Sequence, residues 1–234
     1  MFGIEDYELS LSDLCCVSRE TFKRSVNEKM KNDERLKRQI RFCLEIDKEK
    51  EITRQTYLSS NRRKENDAEH AWHMAVMAMI LFEYSNKKID KLKTIYMLLI
   101  HDLVEVYAGD TFAYNEEAVR DQKEKEQKAA DKLFSLLPED QSEEMRKIWY
   151  EFEQWESPEA CFAHTLDNFQ PMLLNNATCG RAWREHGVKV SQVLKRNSRT
   201  DEGSMSLWNF AFEHFVKPNV DLGNLIDDLQ LDSN

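Results

Sequence analysis

The chain has 234 residues, 41% of them hydrophobic, with only 6 Gly and 4 Pro. That is enough apolar material for one sizeable core and too little turn-forming material for a hairpin-rich β fold, so the expected class is all-α, a compact multi-helix bundle. A formal net charge of −10 and a sequence pI of about 5.2 leave no basic field to gather polymeric nucleic acid or an anionic membrane.

The longest apolar run, Met74 to Phe82, is too short to span a bilayer, and the MFGIED start lacks the basic flank of a signal peptide. A cytoplasmic protein is expected. The five cysteines, Cys15, Cys16, Cys43, Cys161 and Cys179, are odd in number and form no C-x-x-C pair. They read as reduced structural thiols rather than a disulfide framework or a zinc ribbon.

The first ~50 residues read as one or two helices, with a break at Asn32-Asp33 and an apolar stripe of Leu36, Ile40, Phe42, Cys43 and Ile46 in the second. Residues 51–65, EITRQTYLSSNRRKE, show no helical period and read as a loop. Asn66 precedes Glu69 by three places, the spacing of a capping box, so a helix starts there and puts His70 in its first turn. In that helix Met74, Met77 and Met79 read as core filler, and His73 as a helix-face residue. Trp72 either packs or lines a pocket.

The next predicted helix runs from Ile89 to Tyr107, with Ala108-Gly109 closing it. Residues 115–137 form a long helix with one charged face, which Pro138 ends. A further helix spans about 141–155. Ser157-Pro158 then supplies an N-cap and first-turn proline for a helix that carries Asp167 among apolar neighbours and should kink at Pro171. One or two more helices fill 180–218, and an acidic tail follows over 219–234.

The unusual stretch is IHDLVEVYAGD, residues 100–110, where His101, Asp102 and Glu105 share one face of an otherwise apolar helix end. Buried without partners, these groups would cost several kcal/mol in total, at roughly 1–3 kcal/mol for even one unsatisfied polar atom. Two readings remain open on spacing alone: an ion-paired helix end, or one wall of a metal site. A divalent cation would supply the missing positive charge to imidazole and carboxylate ligands, and helices distant in sequence can bring His70 and Asp167 to the same point in a bundle core. The rival reading of Asp167 is a pair with His164 one turn earlier. His164, His186 and His214 otherwise read as structural or exposed, and Lys195-Arg196-Asn197 as a surface basic cluster.

The order of these pieces resembles the H…HD…D signature of the HD-domain phosphohydrolase superfamily, all-helical metal-dependent enzymes. The wording NDAEHAWHMAVMAMIL and HDLVEVYAGDT is similar to the branch containing the YfbR-type 5′-deoxynucleotidases and their eukaryotic relatives, over roughly residues 35 to 215. The resemblance implies an HD domain over 31–218 with a metal site in its core, preceded by an N-terminal helical extension, residues 1–30. It implies His70, His101, Asp102 and Asp167 as metal ligands, and Glu105 and Asp110 as catalytic residues that position water, hold a second ion or contact substrate. It implies a phosphate-gripping arginine, with Arg54 in ITRQTYL the nearest match and Arg62 or Arg63 as alternatives.

Thr111-Phe112-Ala113 departs from the small residues and proline that the branch often carries there, which bears on substrate shape. The expected activity is metal-dependent hydrolysis of nucleoside or deoxynucleoside 5′-monophosphates. The expected cofactor is a divalent ion, Mn²⁺, Co²⁺, Fe²⁺, Zn²⁺ or Mg²⁺, and the expected partners are a small phosphorylated substrate and, as in relatives, a second copy of the chain. Other phosphoesters or nucleoside triphosphates, di-iron oxidation, and a non-catalytic helical metal-binding regulator are the competing functions.

Overall fold

The computed structural model describes residues 34–114 and 116–229, so the expected N-terminal extension, Cys15 and Cys16 lie outside the described residues. The chain folds as helices around one two-stranded ribbon, the expected all-α class. The first helix, α1 (Glu34–Ile46), buries Phe42 against the long helix α5 (Glu116–Phe134), whereas Leu36 and Cys43 of the expected stripe face outward. Arg38 fixes that contact, because its guanidinium donates to the carbonyls of Ser135 (2.9 Å), Leu136 (3.3 Å) and Leu137 at the end of α5, where unpaired carbonyls favour a cation.

A 3₁₀ turn (Asp47–Glu51) leads into the first correction to the sequence reading. Residues 51–65 are not a featureless loop: β1 (Thr53–Tyr57) and β2 (Lys64–Asn66) pair antiparallel, with an irregular register between Thr53↔Asn66 and Tyr57↔Lys64. The strands carry almost no apolar residues to alternate, so the period-2 signal is missing. The reversal is made instead by Asn61 at φ 58°, whose N–H donates to the Leu58 carbonyl at 2.7 Å. The ribbon matters because it directs Arg54 inward.

Helix α2 (Asp67–Leu81) begins with the expected capping box: Asn66 Oδ1 accepts from the Glu69 N–H at 2.9 Å, and Glu69 accepts from the Asn66 N–H at 3.1 Å. Met74 and Met77 join the core, but Met79 is exposed. The expected single helix of 89–107 is broken into α3 (Lys91–Ile100), a 3₁₀ turn (His101–Val104) and α4 (Glu105–Ala108), closed by Gly109 at φ 77°. Side chains cause the break. The His101 carbonyl accepts from Trp149 Nε1 at 3.1 Å, and the Glu105 N–H turns to Asp102 and Leu103 instead. The tightened turn brings His101 and Asp102 to the bundle interior.

Helix α6 (Glu139–Gln154) leads to α7 (Pro158–Ala177), which starts with Ser157 Oγ accepting from the Ala160 N–H at 3.2 Å and runs through Pro171 to Ala177. Helix α7 is the axis of the bundle, with α2, α3 and α6 packed on it and Phe162, Leu166 and Met172 buried along it. Short helices α8 (Arg181–Glu185), α9 (Val190–Arg196), α10 (Thr200–Gly203) and α11 (Met205–Ala211), a π turn (Phe212–Val216) and α12 (Lys217–Asp221) complete the described chain. Beyond α12, Leu225 is buried, the backbone of Ile226 exchanges hydrogen bonds with Val188 and Val190, and Asp228 accepts from Ser191.

Helix α10 lies against α7 with no room for a side chain. A Cβ on Gly203 would stand 2.2 Å from the Cys161 carbonyl oxygen and 2.4 Å from Thr165 Oγ1. Gly203→Ala should therefore cost about 2–3 kcal/mol by forcing the two helices apart. The urea midpoint reads this; an unmoved midpoint would mean the contact can open at no cost.

Candidate metal centre

Three elements meet at the inner end of α3. His70 comes from the start of α2, His101 and Asp102 from the 3₁₀ turn, and Asp167 from the middle of α7. One ligand atom from each of His70, His101 and Asp102 lies within 4.8 Å of the other two. Asp167 Oδ1 joins them, 3.2 Å from His70 Nε2 and 3.8 Å from His101 Nε2. The rival pair of Asp167 with His164 is absent from the described contacts: His164 hydrogen-bonds the Phe152 carbonyl at 2.9 Å and is stacked between Phe152 and Trp155.

Glu105 opens α4 and is buried with Oε2 unpartnered. Asp110 lies just beyond Gly109 on the wall of a cavity of about 320 Å³ that also takes in Arg54, His101, Asp102, Asp167 and Arg196. Arg54 Nη1 donates to Asp102 Oδ2 at 2.7 Å and to Asp67 Oδ1 at 3.2 Å. Two other expected substrate contacts fall elsewhere. Arg62 is exposed and does not line this cavity, and Trp72 is 64% exposed, stacked on His73 beside a separate shallow depression. Arg63 is engaged with Glu69.

Burial and the charge of Arg54 push the His70 imidazole down to about 4, against the pull of Asp167 and Asp102. Burial would also keep His101 neutral, but the adjacent Asp102 and Asp167 carboxylates override it and hold its pKa well above the usual imidazole value. For Asp102, burial is outweighed by His101 and Arg54, which hold it well below the carboxylate range. Asp167 is likewise lowered against burial, by the adjacent His101 and His70 imidazoles and the charge of Arg196. For Glu105 the balance is reversed: burial, then Asp102 and Asp67, outweigh Arg54 and push it up to about 12.

These features fit a divalent cation. His70 is neutral and has one N–H, yet both its nitrogens face oxygens: Nδ1 lies 3.0 Å from Gln170 Oε1 and Nε2 3.2 Å from Asp167 Oδ1. One of those contacts sets lone pair against lone pair unless a cation lies between. His101 Nε2 is a second nitrogen aimed at the same point: its Nδ1 lies 3.0 Å from the Leu98 carbonyl oxygen, and its buried Nε2 faces Asp102 Oδ2 at 3.1 Å without a well-formed hydrogen bond. With the His101 proton displaced by the ion, the two Nε2 atoms beside two carboxylates would form an N/O donor set suited to first-row divalent ions.

Several residues of the site carried no motif in the sequence. Gln170 and Glu65 are buried behind His70, and Asp67 is wholly buried between Arg54 and Glu105. Arg196, which read as part of a surface cluster, donates to Asp167 Oδ2 at 3.2 Å on the cavity wall. Glu126 and Glu153 line the far side of the cavity, with Glu153 pushed up to about 7 by burial and by Glu126.

An all-helical bundle with two histidines and two aspartates converging in its core defines a class of helical proteins with a metal-type centre. The family model for the HD domain matches residues 46–208, and the chain belongs to that family. It is similar to the 5′-deoxynucleotidase HDDC2 of Homo sapiens, 28% identical over 57% of this chain and 65% of the relative. The Mus musculus protein of the same name is 30% identical over 57% of this chain and 66% of the relative. The chain thus spans just under two thirds of the length of these curated relatives. A solved structure described as a predicted metal-dependent phosphohydrolase from Magnetospirillum magnetotacticum MS-1 superposes with a TM-score of 0.77 at 45% identity, covering 82% of this chain and 96% of that one.

Proposed function

We propose that the protein is a metal-dependent phosphohydrolase that removes phosphate from nucleoside or deoxynucleoside 5′-monophosphates. The observation that carries this reading is the convergence of His70, His101, Asp102 and Asp167 at a cavity that also holds Arg54, Glu105 and Asp110. The names of the relatives support the substrate class. His70, His101, Asp102 and Asp167 would hold the ion, and their mixed N/O character accommodates Mn²⁺, Co²⁺, Fe²⁺, Zn²⁺ or Mg²⁺. When bound, such an ion lowers the pKa of coordinated water and polarises a phosphoryl oxygen.

The chain's own groups account for the rest. Arg54 has an Nε without a hydrogen-bond partner and presents its positive charge at the cavity, where it compensates charge developing on the phosphate. Arg196 adds a second guanidinium on the same wall. With a divalent ion bound, whose charge would draw off the Glu105 proton, Glu105 would orient the attacking water and accept its proton. A P–O bond forms as the bond to the sugar 5′-oxygen breaks, and Asp110, a cavity-wall carboxyl whose pKa burial raises, would supply that oxygen with a proton.

The test is phosphate release from a panel of nucleoside and deoxynucleoside monophosphates by metal-stripped protein reloaded with Mn²⁺, Co²⁺ or Mg²⁺. Release restored by metal supports the reading and ranks the substrates. Binding of metal with no release from any monophosphate would remove it in favour of another phosphoester, oxidation or a regulatory role.

The proposed surroundings are the cytoplasm, consistent with free Cys43, Cys161 and Cys179 and with no described helix long and apolar enough to cross a membrane. A homodimer is part of the same proposal, supported by the faces of α2 and α3. Trp72, Val76, Met79 and Ile80 stand exposed at i, i+4, i+7 and i+8 on α2, and Leu92, Tyr96 and Leu99 stand exposed on α3, which packs beside it. Ile80→Glu should convert a dimer to monomer in sedimentation velocity; a wild-type protein that is monomeric at micromolar concentration would dispose of the dimer.

A further inference from the structure

We propose that Glu65 and Gln170 are positioning residues that fix the tautomer of His70, placing its proton on Nδ1 and its lone pair on Nε2. The proposal rests on the reading of His70 as a metal ligand and names what makes it one.

Gln170 is fully buried on α7, three residues past Asp167, and Glu65 is buried on β2. An amide has two unlike ends, so what faces each end determines the other. Gln170 Nε2 lies 2.8 Å from Glu65 Oε2. Burial pushes the Glu65 carboxyl up to about 7, and once ionised above that pH it only accepts, so the NH₂ end must face it; the reversed amide would press a carbonyl oxygen against a carboxylate oxygen at that distance. Gln170 Oε1 therefore faces His70 Nδ1 at 3.0 Å, and that nitrogen must donate. With the one proton of the neutral ring on Nδ1, the lone pair is on Nε2, the nitrogen directed at Asp167 and, at 4.0 Å, at Asp102 Oδ2.

The second N–H of the amide is used as well. It faces His73 Nδ1 at 3.2 Å, which places the proton of His73 on its Nε2. Every polar atom of Gln170 thus has a partner, and groups from β2 and α2, 97 to 105 residues away in sequence, converge on one amide. An apolar residue would fill the position between α2 and α7 without the desolvation that Gln170 and Glu65 incur. The polar pair is explained by the ring it orients: backing an imidazole N–H with an amide and a carboxylate makes the opposite nitrogen a better and better-directed ligand.

The experiment is calorimetric titration of Co²⁺ into metal-stripped wild type, Gln170→Leu, Gln170→Glu and the exchange variant Glu65→Gln/Gln170→Glu, with His70→Ala as reference. Gln170→Glu sets two carboxylates face to face, and the exchange restores a donor against an acceptor with the His70 side still accepting. Each single change at Gln170 should weaken Co²⁺ binding about 10–100-fold, and the exchange should recover most of that loss. Binding by Gln170→Leu equal to wild type, or an exchange variant no tighter than Gln170→Glu, would overturn the proposal. His70→Ala separates the two readings: if it binds Co²⁺ as wild type does, the ligand assignment itself fails. Should the variants not fold, long-range ¹H–¹⁵N correlation of the zinc-loaded wild type reads the tautomer directly. A proton on His70 Nδ1 supports the proposal, and one on Nε2 refutes it.

Discussion

Asp102→Ala is expected to lower metal-dependent phosphate release by about three orders of magnitude or more, because on the proposed reading it removes an anionic ligand from the centre that would activate water. Asp102 is the hub of the described contacts. Its Oδ2 is 2.7 Å from Arg54 Nη1, 3.1 Å from His101 Nε2 and 4.0 Å from His70 Nε2. Removing the carboxylate also removes the charge that holds the pKa of His101 up and adds to that of Glu105.

The stability of the metal-free protein should change little, for two opposed reasons. Arg54 loses one partner but keeps Asp67 at 3.2 Å, while Glu49, Asp67 and Glu105 are relieved of a neighbouring negative charge. What should vanish is the stabilisation that added metal gives, since a ligand raises Tm only as far as it binds the folded state. Thermal melts with and without Mn²⁺, beside the phosphate assay, check both parts. A variant that is inactive yet still stabilised by metal as strongly as wild type would show that Asp102 is not a ligand.

The helices around this centre were legible because their signals are local. The Asn66/Glu69 capping box, Ser157-Pro158 and Gly109 each act within a few residues, and each stands where the sequence puts it. The interruption at His101 was not legible, because Trp149, which takes its carbonyl, lies 48 residues away. The Glu65–Gln170 pair, 105 residues apart, was hidden for the same reason. The ribbon that aims Arg54 was missed because its strands are short and polar. Trp72 was ambiguous because α2 is apolar on nearly all sides: Ala71, Met74, Ala75 and Ala78 are buried while Val76, Met79 and Ile80 are exposed, so periodicity could not tell inside from outside. Arg196 read as surface since nothing near it in sequence announces Asp167.

Glu105→Gln separates the chemistry from the metal, and its expected effect is a fall in kcat of about 10²–10⁴-fold with metal content unchanged. Glutamine keeps the size and the position at the start of α4 but cannot take a proton from water. The same change has a signature in the metal-free protein whose sign follows from the environment. The folded state holds the Glu105 carboxyl protonated, pushed up to about 12 by burial, Asp102 and Asp67, whereas the unfolded chain releases that proton near the ordinary glutamate value of 4.5. Wild type therefore loses stability as pH rises above about 4.5, and the neutral glutamine does not. Melts of the metal-free proteins should nearly coincide near pH 4 and separate toward pH 8, with Glu105→Gln the more stable. Low kcat with that separation identifies a buried carboxyl that titrates against its neighbours and serves as the base. Wild-type kcat in the glutamine variant would move the role of base to Asp110, the remaining carboxyl on the cavity wall beside Arg54.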